Sequence, residues 1–427
     1  MKNLSLILFA LTICLFVGCS SKLQESTTLK VGASEKSITP RARAFIAGDA
    51  NNRQFTGVHD SLYVKAIVIS DSRNHLAIIS FDCIGMLYPT LQEIRREITS
   101  KIPASEFDPS HIVMSSTHTH SGPDVVGIYG PDQLTSGVDS VYMKKIVQTS
   151  VDAIFEAWQN RQEAKMVYAE TEFGKDWVYN ISDSLNLDRS LSVIQFLDKE
   201  EKSLATLTNF ACHPTIMDGA TSLVSSDYPG AMYAQLNKDL GGVNFFLYGS
   251  SGGWVQPEYE PKNFESVDKR GRELALVVEN VLKNATPMEQ TAIEYKSLAF
   301  KLPVSNQGFQ QLAAAGVINR IITDSVETEI AWFSIGNAQF VTHPAETTPT
   351  HSKESKKLMN NLGPKFVLAV AMDGLGYILT PEFYQPGTKM KHTKYLTGMS
   401  IDKNAGTILM QKIGQLATES SSTIKAN

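Results

Sequence analysis

The sequence predicts an α/β fold in which mixed β-sheets are flanked by helices within a single large domain. Strand-like apolar runs alternate with segments of helical periodicity along the whole chain. No low-complexity linker, charge block or repeat divides residues 29–427. Several runs are joined by short turns, so the sheets should contain antiparallel as well as parallel pairs.

The first 28 residues are predicted to form a targeting segment. Met1-Lys2-Asn3 precedes an apolar run over residues 4–17, and Gly18-Cys19 follows it. One basic residue, a short apolar region and a small residue before a cysteine are typical of a signal peptide over residues 1–18, and Gly18-Cys19 resembles a bacterial lipobox. We therefore expect a bacterial outer-membrane lipoprotein, with lipid on Cys19 and a polar tether over residues 19–28, facing the periplasm or the cell surface. An ordinary signal peptide with an incidental cysteine is the alternative.

The body of the chain is divided into strands and helices by the period of its apolar residues. Helices are predicted over residues 143–158, 274–281 and 402–418, where apolar residues recur every three to four positions. Strands are predicted at the short apolar runs 62–70, 76–81, 112–114, 192–196, 204–211, 245–248, 293–302, 330–335, 339–342 and 366–371.

Composition excludes some classes of function. The formal charge is 39 − 44 = −5, without long runs of one sign, so there is no basic surface for nucleic acid and no polybasic membrane patch. We expect a small-molecule, lipid or oligosaccharide substrate, and membrane contact only through the lipid anchor. Of the four cysteines, only Cys83 and Cys212 lie in the body of the chain. They could pair, but two cysteines within a large core are more often buried free thiols.

His118 and His120 are the first candidates for chemistry. They lie in Ser116-Thr117-His118-Thr119-His120-Ser121-Gly122-Pro123, after the run 112–114 and before a Gly-Pro turn. Imidazole is the commonest metal ligand, and strand ends are where polar side chains can converge. Seen alone, the pair is more typical of turn histidines bonded to backbone.

Three more potential donors also follow strand-like runs. His213 follows the run 204–211, Glu346 follows 339–342 across a Pro turn, and Tyr377 follows 366–371 across a Gly-rich turn. Two histidines and a carboxylate suit zinc, with a phenolate as an unusual fourth donor. The fold is therefore expected to place a metal site at strand ends. Each residue also has a structural interpretation: a backbone-bonded histidine, an acid at a helix N-terminus, or a core aromatic.

These motifs resemble the neutral/alkaline (non-lysosomal) ceramidase family in its N-terminal catalytic domain. His118-Thr119-His120-Ser121-Gly122-Pro123 is similar to that family's zinc-ligand motif, and the resemblance covers nearly the whole of residues 29–427 in order. The other matching segments are Val31-Gly32-Ala33 to Ile38-Thr39-Pro40, Thr56-Gly57-Val58-His59-Asp60, His213-Pro214-Thr215, Ser226-Asp227-Tyr228-Pro229-Gly230, Pro344-Ala345-Glu346-Thr347-Thr348 and Tyr377-Ile378-Leu379-Thr380-Pro381-Glu382.

The resemblance implies a Zn²⁺ site and an amidase reaction. His118, His213, Glu346 and Tyr377 would bind the metal, and His120 would orient a ligand or meet the substrate. Tyr395 lies near the position of a family tyrosine that helps to hold the reacting carbonyl. The metal would lower the pKa of a bound water and polarise an acyl oxygen. The family cleaves ceramide into fatty acid and sphingosine.

Three departures from the family pattern concern the substrate apparatus. Gln256 stands where the family has a catalytic serine; glutamine cannot be a nucleophile, but its amide can bond to substrate. Ser250 and Ser251 could replace that serine, although a Gly-Ser turn is more often structural. The family's Asn-Arg-Ser-Pro segment reads Asn180-Ile181-Ser182-Asp183, without the arginine. We also expect the family's C-terminal immunoglobulin-like domain to be absent.

Three functions remain open from the sequence. The first is a zinc-dependent hydrolase of an amide or acyl bond in a ceramide-like substrate, with His120, Tyr395 and Gln256 as catalytic residues. The second is a zinc-dependent carbohydrate-active enzyme, such as an esterase, a deacetylase or an eliminating lyase on an acidic glycan. The third is a non-catalytic binding protein that keeps the scaffold.

Overall fold

The structure is a computed structural model that describes residues 29–258 and 261–426, with side chains to residue 420. The predicted signal peptide, Cys19 and the tether fall outside the described residues. No helix among the described residues is both long enough and apolar enough to cross a membrane. Three large mixed sheets and their flanking helices form one α/β domain, as the sequence predicts.

The first sheet has five strands in the order β5-β4-β3-β1-β6, and only the β4–β5 pair is parallel. Helix α2 packs against β1 and β3. It begins after Asp139, whose carboxylate accepts from the free N–H groups of Val141 and Tyr142. The elements are β1 (Lys30–Ser37), β2 (Gly57–Val58), β3 (Tyr63–Ser70), β4 (His75–Phe81), α1 (Tyr88–Ile98), a 3₁₀ turn (Pro109–His111), β5 (Ile112–Ser116), α2 (Ser140–Gln159) and β6 (Gln162–Glu163).

The second sheet also has five strands, in the order β12-β10-β9-β7-β14, and its parallel pair is β10–β12. Helices α3 and α4 pack against each other on its outer face. The elements are β7 (Lys165–Glu172), β8 (Val178–Asn180), β9 (Ser190–Leu197), β10 (Ser203–Phe210), β11 (Leu223–Val224), α3 (Tyr228–Asp239), β12 (Val243–Tyr248), β13 (Val255–Pro257), α4 (Phe264–Leu282) and β14 (Thr286–Pro287).

The third sheet has four strands in the order β15-β16-β17-β19, with β17–β19 parallel. Three short pairs, β2–β11, β8–β13 and β18–β20, connect the loops around the large sheets. The elements are β15 (Ile293–Pro303), α5 (Gln307–Ala314), β16 (Ser325–Ile335), β17 (Ala338–Thr342), β18 (Glu346–Thr347), α6 (Pro349–Leu358), β19 (Lys365–Leu368), β20 (Tyr377–Ile378), a 3₁₀ turn (Pro381–Tyr384), α7 (Thr393–Gly398) and α8 (Ala405–Ala426).

The parallel pairs of the three large sheets meet at one place. Backbone bonds join their ends directly: Ala369 N donates to Tyr248 O at 2.8 Å, and Met372 N donates to Met114 O at 2.8 Å. These bonds connect the third sheet to the second and to the first. The carboxyl ends of β5, β10, β12, β17 and β19 therefore open into a shared region, which is where ligands bind in α/β folds.

The predicted strands are confirmed, with one difference at the end of a run. The run 366–371 forms a strand only over Lys365–Leu368. Beyond it the backbone leaves the extended region, because Val370 has φ 47° and Met372 has φ 69°. Left-handed backbone at a β-branched residue is strained and tends to occur at functional sites.

Cys83 and Cys212 are both buried free thiols.

Candidate metal centre

His118 and His213 are held by the same kind of contact on two different sheets. His118 follows β5, and its Nδ1 lies 2.5 Å from Ile84 O; His213 follows β10, and its Nδ1 lies 2.7 Å from Val255 O. A carbonyl oxygen only accepts, so both Nδ1 atoms carry the proton. Each neutral ring then directs the Nε2 lone pair away from the backbone. This is the arrangement of a metal-binding histidine with a backbone partner behind it.

Glu346 brings a carboxylate between these two lone pairs. Its Oε2 lies 2.9 Å from His213 Nε2 and 3.3 Å from His118 Nε2. Burial by itself would raise the pKa of Glu346, but positive charge on the His118 and His213 rings would hold it well below its usual range. A carboxylate can only accept, so two neutral imidazoles facing it need a cation or a proton between them. The chemistry of this donor set therefore fits a divalent metal.

Tyr377 is placed beside Glu346 by backbone pairing. Strands β18 and β20 are parallel, with Glu346 opposite Tyr377, and both side chains line one cavity with His118. Trp254 Nε1 donates to Tyr377 Oη at 2.8 Å, which fixes the hydroxyl and leaves an oxygen lone pair for another partner. Burial, followed by the charge of Glu346, raises the pKa of Tyr377 well above its usual value. Tyr377 would therefore require a nearby cation to bind as phenolate.

The turn after β12 is fitted tightly against Glu346. A Cβ on Gly252 would lie 2.4 Å from Glu346 O, and Gly252 N donates to Thr347 O at 2.8 Å. Only glycine allows this approach. The turn therefore fixes the backbone that carries the candidate carboxylate ligand.

His120 lies next to the cluster and faces an acid. Its Nε2 is 3.5 Å from His118 Nε2, and its Nδ1 is 3.3 Å from Asp218 Oδ1. Although burial opposes it, the neighbouring His120 lowers the pKa of Asp218 to about 2. The ligand atoms of His118, His120 and His213 all lie within 4.8 Å of one another, so His120 is also within reach of a metal. We favour His118, His213 and Glu346, because the Glu346 oxygen lies between the two Nε2 atoms while Asp218 orients His120.

Tyr248 is a neighbour of the site that the sequence analysis missed. It is fully buried at the end of β12, and its Oη lies 3.3 Å from His213 Nε2. Its ring stacks on His118 with the ring centroids 4.9 Å apart. The signal was available, since Tyr248 ends a predicted strand at the same edge of the fold as the histidines. An aromatic residue at such a position is usually assigned to the core.

Two neighbouring cavities share part of their lining, and the inner one adjoins the cluster. The inner cavity, of about 850 Å³, is bounded by His118, His120, Glu346 and Tyr377 and otherwise mainly by apolar side chains. The outer cavity, of about 1150 Å³, has a more polar rim. The residues that line both cavities are Ile128, Tyr129, Phe309, Tyr395 and Met399. Tyr395 is 51% exposed, so it lies at the opening between the inner cavity and solvent.

The remaining candidates are placed less centrally. Gln256 lies on β13, where its amide donates to Tyr179 Oη at 2.6 Å, and it is not among the residues that line either cavity. Its catalytic role stays a prediction. Ser250 and Ser251 are fully buried; Ser250 Oγ lies 2.8 Å from Thr347 Oγ1, and Ser251 Oγ donates to Gly249 O at 3.2 Å. The hydrogen bonds of both serines thus stabilise the turn.

The segment that lacks the family arginine forms a local turn. Asn180 Oδ1 accepts from the backbone N–H groups of Ser182 and Asp183, at 3.0 and 2.9 Å. Arg189, the nearest arginine in sequence, donates to Gly174 O. Neither arrangement brings a guanidinium into the inner cavity. Among the described residues that line this cavity, the arginine is Arg320.

Comparison with known proteins identifies the family to which this chain is similar. The sequence model described as "Neutral/alkaline non-lysosomal ceramidase, N-terminal" matches residues 29–247. Neutral ceramidase A of Dictyostelium discoideum is 26% identical over 229 residues, which are 49% of this chain and 32% of that protein. Neutral ceramidase of Pseudomonas aeruginosa is 25% identical over 192 residues, or 41% of this chain and 28% of that protein. The matches thus cover about a third of these relatives' length.

Solved structures match over much more of the chain. The crystal structure of neutral ceramidase from Pseudomonas aeruginosa superposes with a TM-score of 0.73 at 17% identity, covering 92% of this chain and 74% of that one. A second structure, described as a ceramidase complexed with C2, has a TM-score of 0.73 at 15% identity and covers 93% of this chain and 76% of that one. At these identities the likeness establishes a common fold.

Proposed function

Because this chain belongs to the neutral/alkaline non-lysosomal ceramidase family, we propose that it is a metal-dependent hydrolase that cleaves the amide bond of a ceramide-like N-acyl lipid. One observation carries the proposal: two imidazole Nε2 atoms and a carboxylate meet at a buried point that opens into a mainly apolar cavity. The donor set supports a divalent cation, and Zn²⁺ suits two nitrogen and two oxygen ligands best.

Four side chains would hold the metal, and others would handle the substrate. His118, His213, Glu346 and Tyr377 are the proposed ligands, and bound Zn²⁺ would supply a water of lowered pKa and polarise the acyl oxygen. The Tyr395 hydroxyl, at the cavity opening, would donate a hydrogen bond to that oxygen. Asp218 Oδ1 lies 3.3 Å from His120 Nδ1, which favours a proton on Nδ1 and would leave His120 Nε2 to take a proton and return it to the leaving amine.

The walls of the inner cavity support a lipid substrate over an acidic glycan. Ile84, Leu87, Ile318, Ile322 and Leu375 all contribute to its lining. Arg320 is the cationic side chain among the described lining residues. Its charge is neutralised by Asp373, whose Oδ1 lies 2.6 Å from Arg320 Nη1. Away from the metal, an anionic sugar would bury its charge against mainly apolar walls that offer no unpaired cationic side chain among the described lining residues, which is costly. An alkyl chain would instead gain about 25 cal/mol per Å² of buried apolar surface.

The test is product analysis on defined lipids. We expect the metal-loaded protein to release fatty acid and long-chain base in equal amounts from ceramide, as measured by liquid chromatography and mass spectrometry. His118→Ala should abolish release, whereas His75→Ala, at a histidine outside both cavities, should retain it. Release from an acidic oligosaccharide and none from any N-acyl lipid would refute the proposal.

We further propose that the chain is a lipoprotein held at the bacterial outer membrane through Cys19. The support is the order of charged, apolar and small residues over positions 1–19. An anchored enzyme would meet insoluble substrate at the membrane surface. Metabolic labelling with an alkynyl fatty acid should mark the wild type and not Cys19→Ser; equal labelling of both would exclude this anchor.

A further inference from the structure

Tyr129 occupies the boundary between the inner and outer cavities and lines both of them. The inner cavity is lined by His118, Glu346 and Tyr377 and is otherwise mainly apolar, whereas the outer cavity has the more polar rim. A group at this boundary would lie beside the bond that joins an apolar acyl chain to a more polar amine. Tyr129 is therefore well placed to contact the scissile bond.

The loop that carries Tyr129 is held rigidly by the carboxylate of Asp124. Asp124 Oδ1 accepts from the backbone N–H of Val126 at 3.0 Å and of Gly127 at 2.7 Å, and Oδ2 accepts from that of Tyr129 at 2.9 Å. Asp124 is 2% exposed and lies six residues after His118 in the chain. The same segment thus supplies a candidate ligand and fixes Tyr129, which favours preorganisation of the two groups.

The hydroxyl of Tyr129 has no hydrogen-bond partner within the described part of the chain, although its backbone N–H is bonded. Burial raises the pKa of Tyr129 well above its usual value, and Tyr395, Glu346, Asp124 and Asp218 raise it further. Tyr129 therefore keeps its proton and can donate a hydrogen bond, but it cannot act as a base at neutral pH. A neutral donor next to the carboxylates is suited to an oxygen that gains negative charge during reaction.

We propose that Tyr129 is a catalytic residue whose Oη–H donates a hydrogen bond to the acyl oxygen of the substrate, in addition to the hydrogen bond from Tyr395. This inference rests on the proposed amidase function. The proton stays on Tyr129 throughout, so its contribution is the strengthening of one hydrogen bond as the carbonyl oxygen becomes anionic.

Tyr129→Phe tests this because it removes only the hydroxyl. Loss of one oxyanion donor typically lowers kcat by about 10²–10³, so we expect a fall of about 100-fold in kcat with KM changed by less than about twofold. A phosphinate analogue of the amide should bind the variant more weakly by the same factor as kcat/KM falls. Tyr168→Phe, on β7 and outside both cavities, should leave all three quantities unchanged.

The outcomes separate the two proposals. If the metal-loaded wild type cleaves no N-acyl lipid, the proposed function fails. If the wild type is active and Tyr129→Phe keeps its kcat, only the assignment of Tyr129 is overturned. A fall in kcat accompanied by loss of metal, or with unchanged phosphinate affinity, would also overturn it, because the hydroxyl would then be structural.

Discussion

Replacing Glu346 by glutamine should weaken metal binding while leaving the fold intact. The amide keeps an oxygen in the same position but removes the charge that lies 2.9 Å and 3.3 Å from two imidazole nitrogens. Loss of a residue that merely supports a metal ligand typically weakens metal binding about 10- to 100-fold. Removing the charge of a ligand itself should therefore weaken the metal affinity at least about 100-fold, or about 2.8 kcal/mol.

The assay is the free energy of unfolding with and without metal. At a free metal concentration about 1,000 times the wild-type Kd, binding stabilises the folded state by about 4 kcal/mol. A 100-fold weaker Kd reduces this increment to about 1.4 kcal/mol in Glu346→Gln at the same concentration. Urea unfolding followed by tryptophan fluorescence, with chelator or with metal, measures both increments.

Asp188→Asn is the matched control for this experiment. Asp188 is a buried carboxylate bonded to Lys356 at 2.7 Å and to Ser352 at 2.5 Å, and it lines neither cavity. It should lower stability in chelator and in metal alike and keep the increment near 4 kcal/mol. An unchanged increment in Glu346→Gln would refute the assignment of Glu346 as a ligand.

Three further predictions concern the pH dependence of stability, the affinity for the metal and the contact of Gln256 with substrate. Burial raises the pKa of Asp227 from 3.8 to about 6 in the folded protein, so protonated Asp227 stabilises the folded state below pH about 4, and this stabilisation is lost as pH rises through 6. The wild type should therefore lose about 3 kcal/mol of unfolding free energy between pH 4 and pH 8 that Asp227→Asn does not lose. Identical pH profiles of stability for the two proteins would exclude this cause. Trp254→Phe removes the donor to Tyr377 and should weaken metal binding about 10-fold, measured by competition with a chromophoric chelator; unchanged affinity would argue against Tyr377 as a ligand. If Gln256 bonds to substrate, Gln256→Ala should lower kcat/KM about tenfold, whereas Tyr179→Phe, which alters only its protein partner, should have little effect; equal losses in both would assign Gln256 a structural role.

Much of the site could be predicted because its residues follow strands. His118, His213 and Glu346 each come directly after an apolar run, and parallel pairs bring such ends to one edge. The alternation of strands and helices also predicted the class of fold. What local pattern does not contain is which strands pair in parallel, since that depends on contacts between distant parts of the chain.

The residues that were missed act through tertiary contacts. Tyr248, Trp254 and Asp218 reach the site from three different loops or strand ends, and none has a distinctive neighbour in sequence. Tyr129 could not be found from periodicity, because it lies in a loop ordered by a single carboxylate. Helix α3 is one of the helices that were missed, and it carries Pro229 near its start, which weakens a helical pattern in the sequence even though proline suits that position.

The proposed metal centre can be tested by an anomalous-difference map at the zinc absorption edge, from crystals of metal-loaded protein. We predict one strong peak about 2.0–2.2 Å from the Nε2 atoms of His118 and His213 and from oxygens of Glu346 and Tyr377. A peak coordinated by His120 in place of Tyr377 would contradict the ligand set. The absence of any peak at this cluster in catalytically active crystals would contradict the metal-dependent mechanism itself.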